Sequence, residues 1–344
     1  MKRILAIPMV VVFVSGLMLG VCAAPASAQK TIELKLSHMD PAGSLVDKVF
    51  HRWGKKMEKQ SKGKLKVRIF PGAVLVNAFE TYAGVEKGVA DIGGSFRYSR
   101  KGAELTGLIS MFFAGIPDGA TSTRILDDIR KKFPAYDKEW QETKELFVIA
   151  IGPANMITKS KPLRTLEDIK GLQLRVPVRE AAEMLKEMGG TPVGMPMAEL
   201  LISLQKGTVD GATVQLYAIQ SFKLAPTAKY CTRFSLYNPS NYFVAMNWDR
   251  FKALSPDLQK LIDDSREEFK RDMVAAYDDG DKGAVAWCKK QGMEFVTLKP
   301  EERKRWLNVI GPVQDRQAAD LDAKGYPATE VLKFTRERMD VYIK

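Results

Sequence analysis

The chain has 344 residues, with 53 Lys and Arg against 41 Asp and Glu, a formal net charge of +12 at pH 7, and only two histidines and three cysteines. That length suffices for two lobes of ordinary domain size, and two histidines supply little toward a zinc site, which needs three or four ligands. The basic excess is scattered, as in Arg130-Lys-Lys132 and Lys289-Lys290, within no recognisable nucleic-acid module, so it reads as solubility or attraction for anions and an acidic partner, with no nucleic acid expected.

Met1-Lys2-Arg3, an apolar run from Ile4 to Val21 and then Ala26-Ser27-Ala28 before Gln29 open the chain. A basic start, an apolar stretch and a small-x-small site spell a secretory signal peptide over residues 1–28, cleaved after Ala28. A spanning anchor is the rival for a run of this length, and a lipoprotein signal at Cys22 is disfavoured by Val21 before it. Removing residues 1–28 from 344 leaves 316 and, with Lys2 and Arg3 gone, lowers the charge from +12 to +10. No later segment is long and apolar enough to cross a bilayer; the most hydrophobic, Leu105 to Ile116, is interrupted by Ser110 and Gly115. The mature chain is expected to be soluble and exported. Cys231 and Cys288 remain in it, too few for a disulfide framework, and read as two buried free thiols.

Thr31 to Ser37 alternates through Ile32, Leu34 and Leu36 as a strand and runs into the loop from His38 to Ser44. A helix follows from Leu45 to Gln60, with Val46, Val49, Phe50, Trp53 and Met57 on one face. Leu65 to Phe70 is the next strand, Pro71-Gly72 a turn, Glu80 to Lys87 a helix, and Asp91 to Phe96 enters a strand end of the kind where open α/β sheets bind ligands. After a helix from Thr121 to Phe133, the apolar run Leu146 to Ile151 fits a strand covered on both faces that leads to a second lobe. Ser160 to Lys170 is a linker with a short helix capped at Thr165, Asp168 standing at the capping-box spacing. A helix from Glu180 to Met188, a turn from Pro192 to Pro196 and a helix with Glu199 in its first turn come next. Ser255-Pro256-Asp257 starts a helix that continues to about Gly280 and resumes to Gln291. At 1.5 Å per residue some 35 residues span ~50 Å, enough to brace two lobes. The tail from Lys299 to Tyr342 also reads as helical.

Within this series, Gly171-Leu-Gln-Leu-Arg175-Val-Pro177 followed by Lys206-Gly-Thr-Val-Asp210-Gly211 is the most informative segment. It describes a strand that delivers an arginine to its end, a helix, and a tight turn into another strand. An unpaired buried charge costs several kcal/mol, so Arg175 is expected to meet an anion, either a ligand or an internal Asp or Glu. Gly63-Lys-Leu-Lys-Val-Arg-Ile-Phe-Pro71 followed by Lys87-Gly-Val-Ala-Asp91 echoes the pattern. Two α/β lobes on one plan, with a ligand cleft between them, are therefore expected; two ordinary βα units in a single sheet are the plainer alternative. The expected division is lobe 1 over residues 29–152, completed by about 241–280, and lobe 2 over 153–240, completed by about 281–344.

Phe70-Pro-Gly-Ala-Val-Leu75, Gly88-Val-Ala-Asp91, Lys161-Pro162, Leu166 to Pro177, Gly190-Thr-Pro-Val193, Met195-Pro-Met-Ala-Glu199 and Leu204 to Gly211 together resemble the solute-binding proteins of the tripartite ATP-independent periplasmic (TRAP) transporters, the dicarboxylate-binding-protein family. The segments occur in family order over most of the mature chain. The resemblance implies a two-lobed, periplasmic-binding-protein-like α/β fold with crossing strands, an interlobe cleft that closes on its ligand and a long bracing helix. It also implies a periplasmic location, a TRAP permease in the membrane as partner, and Arg175 as the residue that holds a carboxylate, for which a guanidinium fork is well shaped.

This chain departs from the family pattern where the usual asparagine is Val214, the usual aromatic is Met197, and a second arginine of some members falls near Asn155. Fewer polar partners around one arginine point to a monocarboxylate with an apolar body. Gln215, Tyr217 and Asn241 could add hydrogen bonds, His38 could touch the ligand from its loop, and Phe96 either lines the opposite wall or belongs to the core. The expected function is capture of an organic-acid anion and its delivery to the permease, with no catalytic residue, metal or cofactor. A receptor for a sensory system is the alternative. An exported hydrolase is less consistent with a chain whose histidines are His38 and His51 and which has no nucleophile elbow. Monomer and dimer both stay open.

Overall fold

The computed structural model of the chain describes residues 31–96, 102–238 and 241–343; the signal peptide and its cleavage site lie outside these. Strands β1 (Ile32–His38), β2 (Leu65–Phe70), β3 (Ile92–Phe96), β4 (Lys144–Ile149) and β10 (Tyr242–Met246) form one sheet in the order β2-β1-β3-β10-β4. Strands β5 (Asn155–Thr158), β6 (Gln173–Val176), β7 (Thr191–Gly194), β8 (Gly211–Val214), β9 (Tyr230–Arg233) and β11 (Glu294–Thr297) form the other, in the order β11-β9-β5-β8-β6-β7. The result is a two-lobed α/β fold with one sheet in each lobe.

Both sheets carry the same parallel triplet, β2-β1-β3 and β7-β6-β8, with an antiparallel strand beside the third member. The Lys-Gly-x-x-Asp echo marks equivalent places in these triplets. Gly88 and Gly207 take left-handed φ values of 73° and 75°, a conformation that suits glycine at a helix exit. Asp91 then clips the first strand of its triplet, donating its N–H to Lys35 O and accepting Lys35 N–H on Oδ2 at 2.7 Å. Asp210 does the same to Gln173, with its carboxylate 2.8 Å from the amide. The strand part of the echo is one unit out of step, because Leu65–Phe70 is the edge strand β2 whereas the Arg175 strand β6 corresponds to β1.

Helix α1 (Leu45–Gln60) follows β1 over the expected residues, started by Ser44, whose hydroxyl accepts Asp47 N–H at 3.1 Å. The bracing helix α10 (Pro256–Lys290) runs unbroken for 35 residues with Pro256 in its first turn. It packs against α1 and β4 in the first lobe and against α8 (Leu216–Ser221) in the second, so one element is buried by both. Trp53 of α1 stacks on Phe269 of α10 with centroids 4.7 Å apart.

The capping box at Thr165 and Asp168 is present and opens a 3-10 turn, Leu166–Ile169. One local difference from the sequence reading has a physical cause. The segment around Pro192 starts as strand β7, where the missing N–H costs nothing at a sheet edge. The apolar run after residue 103 folds as helix α3 (Glu104–Phe112), almost wholly buried. The tail makes two helices, α11 (Pro300–Asp322) and α12 (Ala328–Tyr342). Helix α11 packs on α6 (Arg179–Glu187), and α12 returns to α3 and α4 (Gly119–Lys132).

Candidate functional site

The carboxyl ends of β1, β3, β6 and β8 converge, as open α/β sheets arrange their ligand sites. Met39 follows β1, Phe96 ends β3, Arg175 and Pro177 close β6, and Thr213, Gln215, Tyr217 and Ala218 carry β8 into α8. Met197, in the 3-10 turn after β7, and Tyr237, after β9, complete the lining. The space they line is ≈ 20 Å³, room for about one water molecule. Tyr217 also borders a groove of ≈ 410 Å³ that runs over Pro41, Ser44, Gln220 and Gly280.

Arg175 is 4% exposed, and among the described residues lining the small cavity it is the only charged one. Its Nε donates to Met195 O at 3.0 Å and its Nη1 to Thr213 O at 3.5 Å. Backbone carbonyls thus fix the plane of the guanidinium at the strand end. Behind it, Thr213 Oγ1 donates to Arg175 O at 3.3 Å and lies 2.6 Å from the hydroxyl of Tyr237. Burial lifts the Tyr237 phenol to about 12, against the opposing pull of its Thr213 bond and the nearby Arg175 charge, so it stays protonated at neutral pH.

Of the nine residues singled out in the sequence, five meet at this cavity: Arg175, Met197, Gln215, Tyr217 and Phe96. Val214 is buried in the core cluster between Thr213 and Gln215, on the far side of the strand. Asn155 pairs with Val214 across the sheet and turns its amide back to Pro153 O at 3.2 Å. Asn241 stands at φ 70°, donates to Thr106 O and Ser110 Oγ, and accepts the Tyr136 hydroxyl at 2.6 Å. His38 is buried beside Phe50, ring centroids 4.5 Å apart, with Nε2 3.0 Å from Asp47 Oδ1; burial lowers its pKa to about 4 despite that carboxylate.

Met39, Thr213 and Tyr237 were not among the residues picked from the sequence. Strand alternation puts 213 and 214 on opposite faces but leaves open which of them meets the cleft. Tyr237 lies in irregular chain, Leu236-Tyr237-Asn238, where no periodicity marks a direction.

A second polar group lies behind Met39. Asp40 is fully buried, with Oδ2 3.4 Å from the Tyr242 hydroxyl, and burial lifts its carboxyl to about 7. Among the described residues no group of three or more His, Cys, Asp or Glu is arranged to hold a metal ion, and no helix is long and apolar enough to cross a membrane. Cys231 and Cys288 are buried free thiols.

Residues 36–320 match the bacterial extracellular solute-binding protein family 7. The chain is 28% identical over 293 residues to the 2,3-diketo-L-gulonate-binding periplasmic protein YiaO of Escherichia coli, covering 82% of this chain and 84% of that protein. It superposes on a TRAP solute-binding protein of Rhodoferax ferrireducens T118, solved with copurified benzoate, at a TM-score of 0.81 and 25% identity, covering 91% of this chain and 98% of that one. A marine-metagenome TRAP solute-binding protein specific for aromatic acids, solved with 3-hydroxybenzoate, shares the fold at a TM-score of 0.83 and 23% identity over 92% of this chain and 100% of that one.

Proposed function

Since the chain belongs to the bacterial extracellular solute-binding protein family 7, the solute-binding proteins of TRAP transporters, we propose that it captures a monocarboxylate with an apolar, ring-sized body and hands it to a TRAP permease in the membrane. The observation that carries the reading is Arg175, buried at the end of β6 beside Met39, Phe96, Pro177 and Met197. A guanidinium whose plane is set by carbonyls can hold a carboxylate through parallel charge-assisted hydrogen bonds. Four apolar side chains then suit a hydrocarbon body better than a polyhydroxylated one, because unmatched hydroxyls would be left without partners. The benzoate found in the Rhodoferax relative fits the same chemistry.

Met39 and Phe96 come from the first lobe and the remaining lining residues from the second. A ligand held between them favours the closed arrangement by its contacts to both, which is the differential affinity that a closing motion requires. The closed lobes would then present the surface the permease recognises.

Calorimetric titration of the mature protein, unfolded and refolded to remove carried-over ligand, with acetate, benzoate and phenylacetate tests the assignment. The aromatic acids are expected to bind and acetate to bind far more weakly. Arg175→Ala is expected to cost about 2–5 kcal/mol, roughly 30-fold to several thousand-fold in Kd. Aromatic-acid binding indifferent to Arg175 would remove the assignment.

A further inference from the structure

We propose that the outer face of helix α1 docks the protein reversibly on an anionic phospholipid surface through Lys48, Arg52, Lys55 and Lys59. The proposal is independent of the Arg175 reading and goes beyond it, since it concerns where the protein meets its permease and not what it carries.

The basic excess, scattered to a first reading of the sequence, is concentrated around this element. Residues 45–68 hold nine Lys and Arg against two Asp and Glu, so 24 of the 316 residues left after the signal peptide supply +7 of the +10. In a helix of about 3.6 residues per turn, Lys48, Arg52, Lys55 and Lys59 fall within an arc of about 60°, opposite the buried Val46, Phe50, Trp53 and Met57. All four are exposed and, among the described residues, none of them forms an ion pair. The nearest acids of the bracing helix stand at the flank: Lys56 takes Glu268, and Glu268 and Asp272 share a small groove with Arg52. Val67 packs on Gly54 of α1, which turns Lys66 and Arg68 of β2 to the other side of the sheet, so the stripe is the helix's own. Four unpaired cations on one face repel one another in the free protein, and a surface dense in negative charge offsets that repulsion.

The occupant follows from which lobe carries the stripe. Helix α1 belongs to the first lobe, where it packs on β2 and the bracing helix, so its outer face is the same with the lobes open or closed. A partner that reads ligand occupancy must touch both lobes, whereas a face confined to one suits a partner indifferent to occupancy. The bilayer that carries the permease is such a partner. Each Lys or Arg beside an anionic lipid surface strengthens partitioning roughly fivefold, and salt screens the attraction.

The test is flotation of the mature protein with vesicles of phosphatidylcholine alone or mixed with an equal part of phosphatidylglycerol, at about 0.05 M and about 0.5 M salt. Wild type is expected to float with the anionic vesicles at the lower salt, roughly 10-fold or more above phosphatidylcholine, and to be released at the higher. The combined variant Lys48→Gln, Arg52→Gln, Lys55→Gln and Lys59→Gln is expected to lose roughly 10-fold or more in partitioning. A variant of the same net charge, altered at the exposed residues Lys289, Lys290, Lys299 and Lys304 to Gln, is expected to stay within about threefold of wild type. Lys48→Arg, Lys55→Arg and Lys59→Arg together are expected to keep the binding, which separates lost charge from lost fold, and loss in that variant would count against a purely electrostatic stripe. Wild type that floats no better with anionic vesicles than with phosphatidylcholine overturns the proposal and leaves an acidic protein face as what the stripe meets. Equal losses in the two Gln variants overturn it as well, by assigning the binding to net charge. Neither result touches the Arg175 assignment, because no organic acid is present.

Discussion

Asp281 fills the space that a side chain at position 152 would need: its Oδ2 stands inside contact distance of the point where a Cβ on Gly152 would lie, while its Oδ1 accepts the backbone N–H of Tyr217 at 2.7 Å. Gly152 belongs to the segment that crosses from β4 to β5, and Tyr217 lines the cleft. One carboxylate on the bracing helix therefore ties the interlobe crossing to the wall of the small cavity. Gly152→Ala must push Asp281 aside and break its bond to Tyr217, at a cost of about 1–3 kcal/mol. Urea denaturation of Gly152→Ala, Asp281→Ala and the double variant is expected to show coupling beyond about 0.5 kcal/mol, since the alanine at 281 makes the room that the alanine at 152 needs. Additive losses would mean that the carboxylate swings away freely.

The same carboxyl gives the fold a pH signature. Burial, opposed by the Tyr217 N–H, lifts Asp281 from its usual 3.8 to about 7, and burial does the same for Asp40. Between these values the unfolded chain has released a proton that the folded chain keeps, so their contribution to stability is full below about pH 4 and is lost as pH rises to about 7. His38 acts oppositely, because its folded pKa of about 4 lies below 6.5 and stability falls as pH drops through that window. The difference between wild type and Asp281→Asn cancels the His38 part. From pH 4 to 7 the asparagine variant is expected to gain on wild type by up to a few kcal/mol, and to hold that lead above pH 7. Thermal melts at half-unit steps would show it, and a constant difference would mean that Asp281 is ionised throughout.

The paired clips at Asp91 and Asp210 make unequal predictions from one geometry. Asp91 is buried and its Oδ1 also takes Arg250 Nε at 2.7 Å, whereas the Asp210 bond to Gln173 lies at an exposed strand start where water can replace it. Asp91→Ala is expected to cost about 1–3 kcal/mol and Asp210→Ala about 0.5–1.5 kcal/mol. Denaturant midpoints that reverse the order would show that the first-lobe clip is not what holds β1 to β3.

These clips also show what was legible in the chain and why. A left-handed glycine followed by an aspartate is a local device with a local signature, so Lys87-Gly88 and Lys206-Gly207 could be read directly, as could the helix at Leu45 and the start at Ser255. Equating Gly63–Pro71 with Gly171–Pro177 was a matter of composition, and sheet order set that strand pair one unit apart. At the cleft, the burial of Arg175 was visible in its neighbours Leu174 and Val176. Which face of β8 looks inward was not, since Thr213 and Val214 are both good strand residues and only pairing with β5 and β6 decides between them. Tyr237 reaches the cavity through loop geometry, which no period encodes.

Outside the cavity lining, Trp53 Nε1 donates to Ser265 Oγ at 3.0 Å, and Ser265 in turn donates to Ile262 O at 2.7 Å. Both side chains are buried between α1 and the bracing helix, so Ser265→Ala leaves the indole N–H without an acceptor at a cost of about 1–3 kcal/mol. Ser265→Thr keeps the hydroxyl and is expected to recover most of the loss. The bond ties the helix to the first lobe only, and neither residue lines the cavity that holds Arg175. Benzoate affinity is therefore expected to stay within about twofold of wild type in Ser265→Ala, since neither end of the ligand contact moves. A larger change in Kd would mean that the position of α10 along α1 is read at the cleft, and that closure involves the helix as a moving part and not as a fixed brace.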